Sequence, residues 1–308
     1  IFTTAVLFSN TAFSIPKLNS YPTAIATLFL DFDGHYVQSS VWNSGLPFNC
    51  AASGMTDPQI TEAFYRVAED YRPFNINITT DSTVFLAAPL NRRMRIIITT
   101  TSSWSPGVGG VAFIGSFNWG DDTPAFVFSD RLGPYSPKMI GECISHESGH
   151  TGGLSHQSKY SETKCYSPIE QYHSGIGSGQ DAWAPIMGNS YNRNMSNWNN
   201  GPTPYGCNSV QDNLSIITSQ NGFGYRTDDY AEALNTSTHT LQGNNFTVNG
   251  IITTNTDKDA FTFTLPANSN FILSAIPFNV QGNWIGANLD TRIELYSSPT
   301  TLIRDYNP

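Results

Sequence analysis

Residues 145–157, SHESGHTGGLSHQ, hold three of the six histidines in this chain. On a helix, His146 and His150 stand one turn apart on the same face, so two imidazoles can aim at one point. His156 cannot reach that point if the helix runs straight on. The chain must turn, and Gly153 is where it can, because glycine enters the left-handed conformation without the Cβ penalty. Zinc accepts imidazole nitrogen at about 2.0–2.1 Å and prefers four tetrahedral ligands, so three histidines leave one position open, the mark of a catalytic site. Glu147, beside a ligand, is placed to act as general base on a water held there. Gly149 and Gly152 are not required by this spacing, and each costs roughly 1 kcal/mol against alanine within a helix. They predict a neighbour packed close on that side of the helix, an aromatic from residues 160–200.

Working outward, the helix that carries the cluster is expected over about 139–150, after the turn residues GPYSPK. Upstream, AIATLFLDFDGHYV (24–37), INITT (76–80), RIIITTT (95–101), GGVAFIGSF (109–117) and PAFVFSD (124–130) read as strands. DPQITEAFYRVAEDYRPF (57–74) reads as a helix, with Asp57 as N-cap, Pro58 in the first turn, and Ile60, Phe64, Val67 and Tyr71 at helical spacing. Strands, a helix, more strands and another helix give an α/β (α+β) domain with a mixed twisted sheet. Residues 154–221 are rich in Gly, Asn, Pro and aromatics, with helix expected only over 209–220. After 228 the chain alternates apolar and polar residues with frequent turns, the pattern of a β-sandwich. The expected domains are therefore 1–228, with an upper part to about 153 and a lower part 154–228, and an all-β module 229–308. That module is short for a sandwich, which is compatible with a fragment of a longer precursor. The uncharged opening IFTTAVLFSNTAFSIP reads as an ordered strand or arm, or as the tail of a signal or pro-segment.

Composition narrows the partners. Only 13% of the 308 residues are charged and the formal net charge is −9. With no Lys/Arg cluster to neutralise phosphates, nucleic acid is excluded as a partner. No apolar run reaches the roughly 18 residues of a membrane span. Four cysteines, Cys50, Cys143, Cys165 and Cys207, allow two disulfides outside the cytoplasm or buried free thiols. Cys165–Cys207 is the first pairing to expect, with Cys50 read as a partner in the other.

The pattern His146, Glu147, His150, Gly153, His156 resembles the metzincin zinc endopeptidases, whose elongated motif is followed by a methionine turn. Met187, in WAPIMGNSY thirty-one residues after His156, is similar to that Met-turn residue. The GGVAFIG stretch ahead of the helix resembles the reprolysin (adamalysin-like) arrangement. There the first strand is the sheet edge that pairs with extended substrate, here Gly110, Val111, Ala112, Phe113 and Ile114. LDFDGHYV and AEDYRPFNINITT look like bacterial secreted metallopeptidases, and TDKDAFTFTL resembles a pre-peptidase C-terminal β-sandwich. The resemblance implies a secreted monomeric enzyme with one catalytic Zn2+, acting on polypeptides. It also carries a departure. Some metzincins place a tyrosine two residues after the methionine, where this chain has Asn189; Tyr191 is then a candidate transition-state stabiliser or a packing residue.

Two other functions compete with peptide hydrolysis: a zinc amidase of cell-wall or glycan amides, and a non-catalytic adhesion protein using tail aromatics such as Trp284. Glu147 argues against the last, since a dead site has no need of the base. Asp228, Asp229, Asp257 and Asp259 suit Ca2+ by their hard oxygens, or serve as solvated turn carboxylates. His35 and His173 read as surface or turn residues.

Overall fold

A run of six buried residues, ATLFLD, forms strand β1 (Ala26–Asp31), and a strand buried on both faces belongs at the centre of a sheet. The computed structural model describes residues 15–235, 238–243, 245–265, 270–278 and 288–307. After β1 come a hairpin of β2 (His35–Val37) and β3 (Phe48–Cys50), helix α1 (Asp57–Asp70), β4 (Ile76–Thr79) and α2 (Ser82–Ala87). Then follow β5 (Arg93–Thr99), β6 (Gly110–Val111), β7 (Ala125–Phe128) and the histidine helix α3 (Pro137–Thr151). The five-stranded sheet has the order β4-β1-β5-β7-β6. Its first four strands are parallel, and β6 is antiparallel at the edge.

Alternation along the strands divides the core. Leu28, Leu30, Ile96, Ile98 and Val127 meet α1 and α3 in one buried cluster. The intervening Ile97, Phe126 and Phe128 join Val37, Trp42 and Cys50 in a second, and Phe29 stacks on Phe85 of α2. Burial of this many aliphatic side chains, at about 1.5–3 kcal/mol each, holds the sheet beneath α3. At the β4 side, residues 16–21 run along the sheet. The backbone N–H groups of Ser20 and Tyr21 donate to Asn77 Oδ1 at 3.1 and 2.9 Å. The expectation for 1–14 lies outside the described residues.

Several boundaries move. Thr56, not Asp57, caps α1; its N–H donates to Gln59 Oε1 at 2.9 Å and frees Asp57 and Pro58 for the first turn. The strand expected over 109–117 stops at Val111, because Gly115 adopts φ 76° and its N–H donates to His150 O, drawing the chain under the end of α3. The helix expected over 209–220 begins at α4 (Asn213–Gln220), where Asp212 caps it through Ser215 N. The residues before it form a strand. The lower part is a series of short pairs: β8 (Trp183–Pro185) with β9 (Met195–Asn197), and β10 (Asn200–Thr203) with β11 (Gly206–Asp212). Cys165 and Cys207 form a disulfide there. The second disulfide does not form: Cys50 is buried against Trp42 beside the sheet and Cys143 faces the core from α3, and both are free thiols.

In the tail, β12 (His239–Thr240) pairs with β13 (Phe261–Thr262), and β14 (Ile293–Ser298) with β15 (Thr301–Tyr306). Among the described residues these separate pairs do not make the expected sandwich. Among the described residues no second sheet covers the β14–β15 pair, and Leu302 and Ile303 of β15 are 49% and 60% exposed. Trp284 lies outside the described residues. Among them, no helix is long and apolar enough to cross a membrane.

Candidate metal centre

Helix α3 is built to end where the sequence requires. Ser136 caps it, and Pro137 occupies the first turn. At the other end Gly153 has φ +101°; its N–H donates to His150 O at 2.9 Å, and Leu154 N–H donates to Gly149 O at 3.0 Å. This pair of bonds is the Schellman ending, in which a left-handed residue reverses the chain. The reversal brings His156 back under the helix. Ring centroids of His146, His150 and His156 lie 4.7–5.2 Å apart.

The nitrogens are set by backbone carbonyls. His146 Nδ1 donates to Ile186 O and His150 Nδ1 to Leu154 O, both at 2.7 Å. Protons fixed on Nδ1 leave lone pairs on Nε2, the arrangement that orients metal-ligating histidines. His150 Nε2 lies 3.0 Å from His156 Nε2. Tetrahedral bonds of about 2.0–2.1 Å would set two ligand nitrogens about 3.3 Å apart. The three donor atoms lie within 4.8 Å of one another, so the set could hold a metal ion. Burial, then the neighbouring imidazoles, hold His146 well below the usual histidine range. Burial also lowers His150, and burial with His150 brings His156 to about 4. All three therefore stay neutral, the form a metal ion requires.

Glu147 is 6% exposed, and burial pushes its carboxyl up to about 8. It lies against the edge strand: a Cβ added at Gly110 would stand 2.7 Å from Glu147 Oε1. Glycine at 110 is what lets the carboxylate and the β6 backbone share this space. Ala112 packs on the main core, Phe113 on Trp42 and Trp119, and Ile114 is 53% exposed.

Met187 is fully buried in a turn closed by Gly188 N–H donating to Pro185 O at 2.9 Å. Its sulfur would stand 2.6 Å from a Cβ on Gly149, with the Trp198 ring at 3.1 Å. The close neighbour that Gly149 implies is thus Met187 together with an aromatic from the expected segment. Gly152 has no such neighbour; the nearest atoms to a Cβ there are Gly149 O at 3.3 Å and Asn221 Nδ2 at 3.6 Å. Tyr191 turns its hydroxyl to Cys143 and packs on the core. The tyrosine facing the histidines is Tyr172, its ring centroid 4.3 Å from that of His156. Spacing did not reveal it, since it is sixteen residues past His156 in a segment with no regular pattern.

Two further polar clusters stand apart from the three histidines. Behind α3, Ser145 Oγ donates to Asp70 Oδ2 at 2.6 Å, Ser190 Oγ to Glu142 Oε2 at 2.5 Å, and Lys138 Nζ to Glu142 Oε1 at 2.9 Å. Glu69 and Asp70 in the last turn of α1 oppose the helix dipole, and that misplaced charge is the one sequence signal for this network. In the tail, oxygens of Asp228, Asp257 and Asp259 also lie within 4.8 Å of one another, and Asp228 is exposed. Burial, followed by Asp229, Asp257 and Asp228, pushes Asp259 up to about 7. Among the described residues neither His35 nor His173 joins a group of potential ligands. His35 Nδ1 is 3.9 Å from Asp31, and His173 Nδ1 accepts from Gly175 N. No protein-family model matches this chain, and no curated protein matches it.

Proposed function

We propose that this protein is a secreted zinc-dependent endopeptidase of the metzincin type, hydrolysing peptide bonds in extended polypeptides. The observation that carries the proposal is the convergence of three neutral imidazoles on one point, with Glu147 between two of them in sequence and packed against an edge strand. His146, His150 and His156 would hold the ion. When bound, a divalent metal ion supplies a Lewis acid for the scissile carbonyl, a lowered pKa for water, and a positive charge that favours ionised Glu147. Glu147 then takes the proton of the attacking water at its carboxylate and passes it to the leaving amine. The outer edge of β6, from Gly110 through Val111, pairs with substrate backbone, which gives affinity with little side-chain preference. Met187 floors the histidines, and the Cys165–Cys207 disulfide suits an oxidising compartment.

The test is metal analysis of the purified protein, with cleavage of an unfolded protein measured beside Glu147→Ala. The expected result is zinc bound by both proteins and cleavage lowered about 10³-fold in the variant, as for loss of a general base. Equal cleavage by Glu147→Ala would remove the proposal. Activity on peptidoglycan alone would replace it with an amidase.

A further inference from the structure

The phenol of Tyr172 has no role in the proposed reaction as described so far, yet it is held over the histidines from several directions. Its ring centroid is 4.3 Å from that of His156, tilted by 50°, and 6.4 Å from that of His146. The residue is 45% exposed, so the ring lies beside the histidines and is still partly accessible from solvent. Tyr191, the other tyrosine of this region, packs on the core with its hydroxyl near Cys143 and Gly109.

The backbone on either side of Tyr172 is fixed. Gln171 O accepts from Ser158 Oγ at 2.6 Å, and His173 N–H donates to Gln157 O at 2.9 Å. These bonds fasten the segment to the residues that follow His156. On the far side, Asn189 N–H donates to His173 O at 3.0 Å. Gly188 lets the two chains pass, since a Cβ there would run into His173 O. Tyr172 is thus anchored both to the third histidine and to the methionine turn. Asn189 holds by its main chain the segment that presents the phenol. A donor fixed in this way pays little to reorganise when charge appears beside it.

Resting on the peptidase reading above, we propose that Tyr172 is a further catalytic residue, its phenol O–H donating a hydrogen bond to the scissile carbonyl oxygen as negative charge develops there. The proton stays on the phenol, and no covalent bond to Tyr172 forms or breaks.

Tyr172→Phe keeps the ring and removes only the donor. In the zinc-loaded protein, the expected result is a kcat about 10²-fold lower, the loss seen when one oxyanion donor is removed, with KM and zinc content unchanged. Affinity for a phosphinic peptide, a tetrahedral mimic, should fall in parallel, while a cleaved product peptide binds as before. If Tyr172→Phe retains kcat and phosphinic-peptide affinity while Glu147→Ala abolishes cleavage, the role of Tyr172 is overturned and the peptidase reading stands. If the wild-type protein neither cleaves peptides nor binds the phosphinic peptide, both fall.

Discussion

Helix α3 carries two buried polar sites one turn apart, and they are satisfied in opposite ways. Around Glu142 and Ser145 both oxygens of Glu142 and both of Asp70 are met by donors from this chain: Lys138, Ser190, Ser145 and, for Asp70 Oδ1, Asn288 Nδ2 at 2.8 Å. Around His146 and His150 backbone carbonyls take up Nδ1, while His150 Nε2 faces His156 Nε2 and the three donor nitrogens gather within 4.8 Å. A closed network rigidifies a core, whereas converging lone pairs bring a net cost until a cation joins them. The first site is structure, and the second could hold a metal ion.

The comparison breaks most severely at Gly149, where Met187 and Trp198 meet the helix. Gly149→Val drives a branched side chain into Met187 Sδ and the Trp198 ring, and should cost about 3 kcal/mol in denaturant unfolding together with a loss of zinc affinity. Gly152→Ala brings a Cβ to 3.3 Å from Gly149 O, a tight contact but far milder than the 2.6 Å one at Gly149, and its stability should stay within about 1 kcal/mol of wild type. Equal losses in the two variants would show that packing beneath the histidines is not what glycine serves here.

A smaller effect is expected at the closed site. Asn288 reaches it from the tail: its N–H donates to Glu69 Oε1 at 2.7 Å, its side-chain oxygen accepts from Ser196 N at 2.9 Å, and its carbonyl accepts from Asn197 Nδ2 at 3.1 Å. Asn288→Ala removes both side-chain bonds and should cost about 2 kcal/mol in chemical unfolding, with zinc content unchanged. An unaltered unfolding midpoint would make this contact incidental.

The finest distinction is a slope. Burial, opposed by the Asn288 N–H, Arg72 and Arg66 and reinforced by Glu142, pushes Glu69 up to about 7, and its Oε2 has no hydrogen-bond partner among the described residues. The folded protein then keeps a proton that an unfolded chain releases near pH 4.5. Stability should therefore fall as pH rises from about 4.5 to about 7. In Glu69→Gln that part of the slope should vanish in pH-dependent unfolding; a slope identical to wild type would place the carboxylate outside the linkage.

These contrasts explain what could be read from sequence. His146, Glu147, His150, Gly153 and His156 lie within eleven residues, so helical geometry and one left-handed glycine suffice to bring them together. The sheet strands were legible because both-sided burial writes continuous apolar runs such as ATLFLD. Residues 154–212 were not, because their strands are three to seven residues long, rich in Asn and Gly, and set by hydrogen bonds rather than by an apolar stripe. Asn288 and Asp70 meet across 218 residues, and no local pattern announces that meeting. The tail shows the converse: alternation predicted a sandwich, but a periodic face does not specify what covers it.

The two carbonyls that hold the histidine rings also imply an order of assembly. Leu154 is four residues from His150, so that bond forms as the helix end forms. Ile186 is forty residues from His146, and closing that loop costs more entropy and waits for the lower part of the chain to dock. On loop closure alone, the local His150 contact is expected to form before the one that orients His146. A site able to hold a metal ion is thereby completed by a contact that spans forty residues, and its geometry reports on the docking of that distant segment.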